Sequence, residues 1–146
     1  MTEATISQYT RNELSKRGFH VLKHNDSSRS GVPDMTIHQD HKTLWVEDKL
    51  LKISKGITGD NPDTLSRISV SARDFIEPER MTQMVEMVKL ERFSFAQYWI
   101  YVEYSGKCYI SILSPSTVWK SYRSDTKILM DLVLASQHRA AFAMPA

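Results

Sequence analysis

The stretch SGVPDMTIHQDHKTLWVEDK, residues 30–49, predicts two neighbouring strands joined by a polar turn. Apolar residues anchor both halves, and the polar residues 39–42 between them are typical of a hairpin connection. A hairpin of this kind brings Asp34, at the start of the first strand, close to Glu47, near the end of the second. We therefore expect two carboxylates to meet at one point of the sheet.

The triplet Glu47-Asp48-Lys49 adds a cation to this point. Residues two apart on a strand leave the same face, so Glu47 and Lys49 point to one side. Carboxylate oxygens suit a hard divalent ion such as Mg²⁺, and a neighbouring lysine can orient water or neutralise charge that develops on a phosphate. The trio with Asp34 indicates a phosphodiester hydrolase. An amphipathic hairpin with a solvated Glu–Lys ion pair is the alternative.

The segments GVPDMTI and LWVEDK resemble the PD-(D/E)xK nuclease superfamily, and within it the virus-type replication-repair nuclease (VRR-NUC) domains most closely. The resemblance implies a restriction-endonuclease-like α/β fold with a mixed central sheet flanked by helices. It also implies an endodeoxyribonuclease that depends on Mg²⁺ or Mn²⁺. Asp34 and Glu47 would bind the metal, together with the backbone carbonyl of Asp48, and Lys49 would position the attacking water.

Two flanking helices complete the resemblance. The family's first helix lends a glutamate to the metal region, and Glu3 fits that place better than Glu13, although an N-terminal helix acid that favours the helix dipole is an equal alternative. The helix after the Glu-x-Lys strand carries a glutamine, which Gln83 matches. A surface glutamine is the competing interpretation.

Asp48 departs from the family pattern. The middle residue of the triplet normally faces the packed side of the sheet and is apolar. A charged group there is costly unless it is exposed or paired, so we expect Asp48 to lie at the edge of the core or to have a cationic partner.

Several cations could follow a DNA backbone, because lysine and arginine contact phosphates without reading sequence. A solvated loop is the alternative for most of them. The candidates for DNA binding are Arg29, Lys52, Lys55, Arg67 and Arg73.

Composition predicts one globular domain over residues 1–146. A net charge of +2 permits nucleic-acid binding without arguing strongly for it, and the single cysteine excludes an internal disulfide framework and a multi-cysteine zinc site. We expect a cytoplasmic protein without a membrane segment, located in the host cytoplasm if the source is a virus.

Periodicity predicts a helix, three strands, a helix, two strands and then C-terminal helices. The nuclease core would occupy residues 1–113 and the C-terminal helices about 114–140, the last of them about 125–139. This order is that of an α/β domain with a mixed sheet.

The most specific function that we expect is cleavage of branched DNA, such as a Holliday junction, in phage recombination, replication or repair. A homodimer suits such substrates, since two sites related by a twofold axis cut symmetric strands. The alternatives are a restriction-like or nicking nuclease, or a non-catalytic binding protein that retains the nuclease fold.

Overall fold

The computed structural model describes residues 2–24, 32–53, 67–104 and 106–135. Three α-helices and eight strands lie in this part of the chain, together with two short 3₁₀ turns at Ala72–Asp74 and Pro78–Arg80. The helices are α1 (Glu3–Lys16), α2 (Met81–Phe93) and α3 (Pro115–Ser124). The strands are β1 (His20–Lys23), β2 (Met35–Gln39), β3 (Lys42–Lys52), β4 (Arg67–Ser71), β5 (Phe95–Tyr104), β6 (Lys107–Leu113), β7 (Lys127–Asp131) and β8 (Val133–Leu134).

Six strands form the main sheet in the order β1-β2-β3-β5-β6-β8. The pair β3–β5 is parallel and the other four pairs are antiparallel, so the sheet is mixed. Helix α1 covers one face, where Ile6 and Leu14 join the core. Helices α2 and α3 and the small β4–β7 sheet cover the other face, where Met84 and Val118 join a second core. The predicted α/β fold with a mixed central sheet flanked by helices is confirmed.

The predicted hairpin is the connection between β2 and β3. Asp40 and His41 form its turn with φ of 51° and 64°, the left-handed conformation that a two-residue hairpin turn requires. The register then pairs Gln39 with Lys42 and Met35 with Val46. Asp34 therefore lies one residue before the paired part of β2, opposite Glu47.

The predicted last helix is wrong. Helix α3 forms as expected, with Ser114 as its N-cap, but Asp125 adopts a φ of 51° and the chain continues as strands β7 and β8. Ile128, Met130 and Leu132 are buried in alternation, while Leu129 is 63% exposed. This period of two belongs to a strand, and β7 pairs with β4 and contributes to the second core.

The inward faces of two helices differ from those that the spacing of apolar residues predicts, which include Tyr9 in α1 and Met81 in α2. In α1, Tyr9 is 59% exposed, and the buried positions include Ser7 and Thr10. In α2, the buried residues are Gln83, Met84 and Met87, whereas Met81 is exposed. In both helices a polar residue replaces an expected apolar one on the inward face. Within the described residues, each helix is too short or too polar to cross a lipid bilayer.

The strand assignment of β7 can be tested by comparing two adjacent positions. Met130→Ala removes a fully buried side chain and should lower the free energy of unfolding by about 2–5 kcal/mol. Leu129→Ala changes an exposed side chain of the same strand and should cost less than about 1 kcal/mol. Urea denaturation measures both values. A helix with Ile128, Leu129, Leu132 and Val133 on its inward face would reverse the order, so a larger loss from Leu129→Ala than from Met130→Ala would contradict the strand.

Candidate active site

Asp34 and Glu47 are joined by the backbone of the hairpin. The backbone N–H of Asp34 donates to Glu47 Oε1 at 3.1 Å, and the backbone N–H of Asp48 donates to Asp34 Oδ2 at 2.9 Å. Each carboxylate is therefore held by the strand that carries the other. The structure brings the two carboxylates together as the sequence predicts.

Lys49 completes the predicted trio on the same face of β3. Its Nζ lies 3.5 Å from Glu47 Oε2. Glu47 is 2% exposed and Lys49 7% exposed, so this is a buried ion pair and not the solvated pair of the alternative interpretation. Asp34 is half-buried and forms the more open side of the group.

The pKa of Glu47 reflects the repulsion between its carboxylate and that of Asp34. Burial, followed by the charge of Asp34, raises the pKa of Glu47 well above its ordinary value, and Lys49 offsets only part of this rise. A second positive charge beside Asp34 and Glu47 would relieve this repulsion. The donor set therefore fits a divalent cation.

The number of protein side chains that can bind a cation here limits the kind of metal that fits. Among residues 2–24, 32–53, 67–104 and 106–135, no group of three or more His, Cys, Asp or Glu side chains is arranged to hold a metal ion. Two carboxylates alone suit Mg²⁺, which usually keeps several waters and uses one or two carboxylates. They do not form the closed set of ligands that a structural zinc site requires.

Asp48 lies on the opposite face of β3 and is fully buried, at 0% exposure. Among the described residues its two carboxylate oxygens have no hydrogen-bond partner within the usual distance. Burial, followed by the charge of Asp34, raises the pKa of Asp48 to about 7, against the lowering effects of the Ser7 hydroxyl and the Arg11 guanidinium. The side chain that departs from the family pattern therefore has a cation nearby, on α1.

Arg11 and Ser7 are residues that the sequence analysis missed. They lie four apart on α1, and Arg11 Nη1 donates to Ser7 Oγ at 2.8 Å. The hydroxyls of Thr10 and Tyr101 are hydrogen-bonded close by. The sequence indicates only that a buried Asp48 needs a cationic partner, and the position of that partner on α1 is set by packing between distant parts of the chain.

Glu3 and Gln83, the two flanking residues that the resemblance implies, lie at the edges of the site. Glu3 Oε2 accepts from the backbone N–H of Leu50 at 3.3 Å, whereas Glu13 pairs with Lys16. Gln83 is buried, and its Nε2 donates to the carbonyl of Val32 at 3.5 Å, just before Asp34. Glu3 thus contacts β3, and Gln83 contacts the segment that leads into β2, whereas Glu13 pairs within its own helix.

Of the five expected DNA-binding cations, the structure describes the side chains of Arg73 and Lys52. Arg73 donates to the carbonyl of Tyr122, lies over its ring and is 3.7 Å from Asp125, so it holds the 3₁₀ turn against α3. Lys52 is exposed at the end of β3. Arg29, Lys55 and the side chain of Arg67 lie outside the described residues.

The titration of Asp48 makes stability depend on pH. A carboxyl whose folded pKa is raised binds its proton more tightly in the native state, so its contribution to stability is lost as pH rises from about 4 to about 7. Asp48→Asn removes this loss. The variant should become more stable than the wild type as pH rises, by up to about 4 kcal/mol at pH 8.

Urea denaturation in EDTA between pH 4 and pH 8 measures this difference without bound metal. Asp131→Asn, at an exposed position of β7, is the matched control and should follow the wild type at each pH. A constant difference between Asp48→Asn and the wild type over the whole range would show that Asp48 does not titrate there.

Comparison with known proteins finds similarity among solved structures only. A scan against protein-family models finds no match, and neither does a search of curated proteins. Among solved structures, the chain is similar to Hjc, a Holliday junction resolvase of Archaeoglobus fulgidus, with 14% identity and a TM-score of 0.49 over 88% of this chain and 87% of that one. A likeness at this level supports no conclusion about activity or ligands, and the VRR-NUC assignment stays a prediction.

Proposed function

We propose that this protein is a PD-(D/E)xK endodeoxyribonuclease that hydrolyses DNA phosphodiesters with Mg²⁺ or Mn²⁺. The observation that carries the proposal is the group of the half-buried Asp34 and the buried Glu47 and Lys49, in which reciprocal backbone hydrogen bonds hold the two carboxylates side by side. A hairpin that served only the fold would not need to bury a glutamate beside a second carboxylate, since this arrangement is costly.

Asp34, Glu47 and the backbone carbonyl of Asp48 would hold the metal. When bound, the metal polarises the phosphate and lowers the pKa of a coordinated water. In the hydrolysis, the water oxygen bonds to phosphorus while one P–O ester bond breaks, which leaves one phosphate end and one hydroxyl end.

Lys49 has the direct chemical role among the remaining residues. Its ammonium group is kept in place by Glu47 at 3.5 Å and faces the same side of β3. From there it orients the attacking water and stabilises the negative charge that develops on the phosphate oxygens. Its burial strengthens both effects, because less water screens the charge.

Glu3 and Gln83 act as positioning residues in this proposal. Gln83 ties α2 to the carbonyl of Val32 and so fixes the segment that delivers Asp34. Glu3 ties the first turn of α1 to Leu50, directly after Lys49. Loss of either contact should change the orientation of the trio without removing a reacting group.

The substrate that we propose is branched DNA, such as a four-way junction, cut by a homodimer. A twofold axis places two sites opposite the symmetric strands of a junction. A role in phage DNA recombination, replication or repair is part of the same proposal, which rests on the resemblance of the GVPDMTI and LWVEDK segments to VRR-NUC domains.

Cleavage of labelled four-way junction, flap and linear duplex DNA with Mg²⁺ or Mn²⁺ tests the activity. Asp34→Asn and Lys49→Ala should each reduce the cleavage rate on the order of 10²-fold or more, because each removes a charge from the transition-state environment. Asp40→Asn in the hairpin turn and Lys89→Ala on α2 change exposed residues and should cleave as the wild type does.

Two other results of the cleavage assay would favour the alternative functions. Preference for linear duplex would indicate a restriction-like or nicking nuclease. Absence of cleavage on all three substrates, with DNA bound equally by the wild type and both site variants, would sink the enzymatic proposal in favour of a non-catalytic binding protein.

Metal binding can be tested without an activity assay. Mg²⁺ at a hundred times its dissociation constant should raise the free energy of unfolding of the wild type by about 2.7 kcal/mol. Asp34→Asn and Glu47→Gln should lose this increase relative to their own metal-free state, while Asp40→Asn keeps it. Equal stabilisation of all four proteins would place the metal elsewhere.

A further inference from the structure

A cavity of about 220 Å³ opens beside Asp34, on the side away from Lys49's partner strand β5. Its walls come from the first turns of α1, with Glu3, Ser7 and Arg11, and from the end of β1, with Lys23 and His24. Asp34 belongs both to this cavity and to the proposed active site. A ligand in the cavity would therefore lie next to a phosphate held at Asp34.

The two carboxylates of the cavity are already engaged in hydrogen bonds to the chain. Glu3 Oε2 accepts from the backbone of Leu50, and Asp34 Oδ2 accepts from the backbone of Asp48. These contacts partly satisfy the negative charges, so the carboxylates do not compete fully for the nearby cations.

Arg11, Lys23 and His24 supply the cationic and hydrogen-bond donor groups of the cavity. Arg11 is half-buried, its Nη1 donates to Ser7 and its charge also acts on the buried Asp48, but its guanidinium carries further N–H groups that can donate to another acceptor. Lys23 is exposed and forms no ion pair with any of the described residues. His24 is oriented by Thr36, at 3.1 Å, and by stacking on Trp45, with ring centroids 5.4 Å apart.

We propose that this cavity binds the phosphodiester group next to the one that is hydrolysed, with Arg11 and Lys23 as its main contacts. Successive phosphates of one strand are a single nucleotide apart, so a strand with its scissile phosphate at Asp34 carries a neighbour towards the adjoining cavity. Arg11 supplies a planar fork suited to two phosphate oxygens, and Lys23 supplies a mobile charge. Such contacts position a strand without reading its sequence.

This inference rests on the proposed nuclease function and adds the path of the DNA strand. The strand would run from the Asp34 group towards the end of β1 and the first turns of α1. It would not run past Arg73, whose guanidinium is committed to Tyr122 and Asp125. Arg11 and Lys23 thus take the place of a cation that the sequence analysis assigned to DNA.

Replacing one charged phosphate of the DNA by a neutral methylphosphonate shows which phosphate the cavity contacts. Labelled DNA of the kind that the wild type cuts, a four-way junction by the proposal, carries one methylphosphonate at each successive position around the cleavage site, and fluorescence anisotropy measures its binding with Ca²⁺ in place of Mg²⁺. Wild-type affinity should fall at the linkage next to the cut. Lys23→Ala should bind unmodified DNA more weakly, with a salt slope smaller by about 1, and should show a smaller further loss at that linkage than the wild type, because only Arg11 remains to contact it.

Lys120→Ala, on α3, removes an exposed lysine that does not line the cavity and should keep the wild-type sensitivity. Arg11→Gln, measured with the same set of modified DNAs, tests the second proposed contact independently. If the loss of affinity caused by Lys23→Ala and the loss caused by the neutral linkage add at every position, the inference is overturned. Cleavage by the wild type would in that case still support the nuclease function. A wild type that neither cuts nor binds DNA would overturn the proposed function itself.

Discussion

The site depends on the reciprocal hydrogen bonds between Asp34 and the Glu47-Asp48 segment. The backbone of β3 donates to the Asp34 carboxylate, and the backbone of Asp34 donates to the Glu47 carboxylate. Both bonds form only if the β2–β3 hairpin keeps one register, and the left-handed turn at Asp40 and His41 sets that register. A slip of one residue would turn Glu47 and Lys49 to the opposite face of the sheet. The turn at the opposite end of the hairpin thus determines whether the three groups meet.

The buried charge of Asp48 links this hairpin to helix α1. A carboxylate in the core destabilises a protein unless something compensates for it, and here Ser7 and Arg11 of α1 face it. The same helix brings Glu3 to the backbone of Leu50 and contributes Ser7 and Arg11 to the cavity beside Asp34. Both faces of β3 are therefore used: one presents Glu47 and Lys49, and the other secures the helix that lines the adjoining cavity. This explains in physical terms why an aspartate can occupy a position where the family pattern has an apolar residue.

The central hairpin, the mixed sheet and the meeting of Asp34, Glu47 and Lys49 could be predicted because alternation along a strand and a short polar turn are local signals. The C-terminal strands could not, because Ile128, Leu129, Leu132 and Val133 also match a helical spacing. Only the pairing of β7 with β4, more than fifty residues earlier, selects the strand. Tyr9 and Met81 were placed on the wrong helix faces for a related reason, since the inward face of each helix is set by polar partners on β3, β5 and the segment before Asp34. Such long-range partners leave no periodic trace in the sequence.

The placement of charge around Asp34 has a consequence for how a polyanion approaches. Lys49 and Glu47 are almost fully buried, whereas Asp34, Lys23 and His24 border the open cavity. Asp34 is the more exposed of the two carboxylates, so its negative charge would repel a phosphate that approaches through the cavity. Arg11 and Lys23 would balance this charge on the protein side, and a divalent cation would balance it at the carboxylates themselves. The burial that raises the pKa of Glu47 and the open cavity, which holds two cations beside two carboxylates, thus form one electrostatic arrangement. In the proposed nuclease, the buried part would provide the chemistry and the open part would admit the substrate.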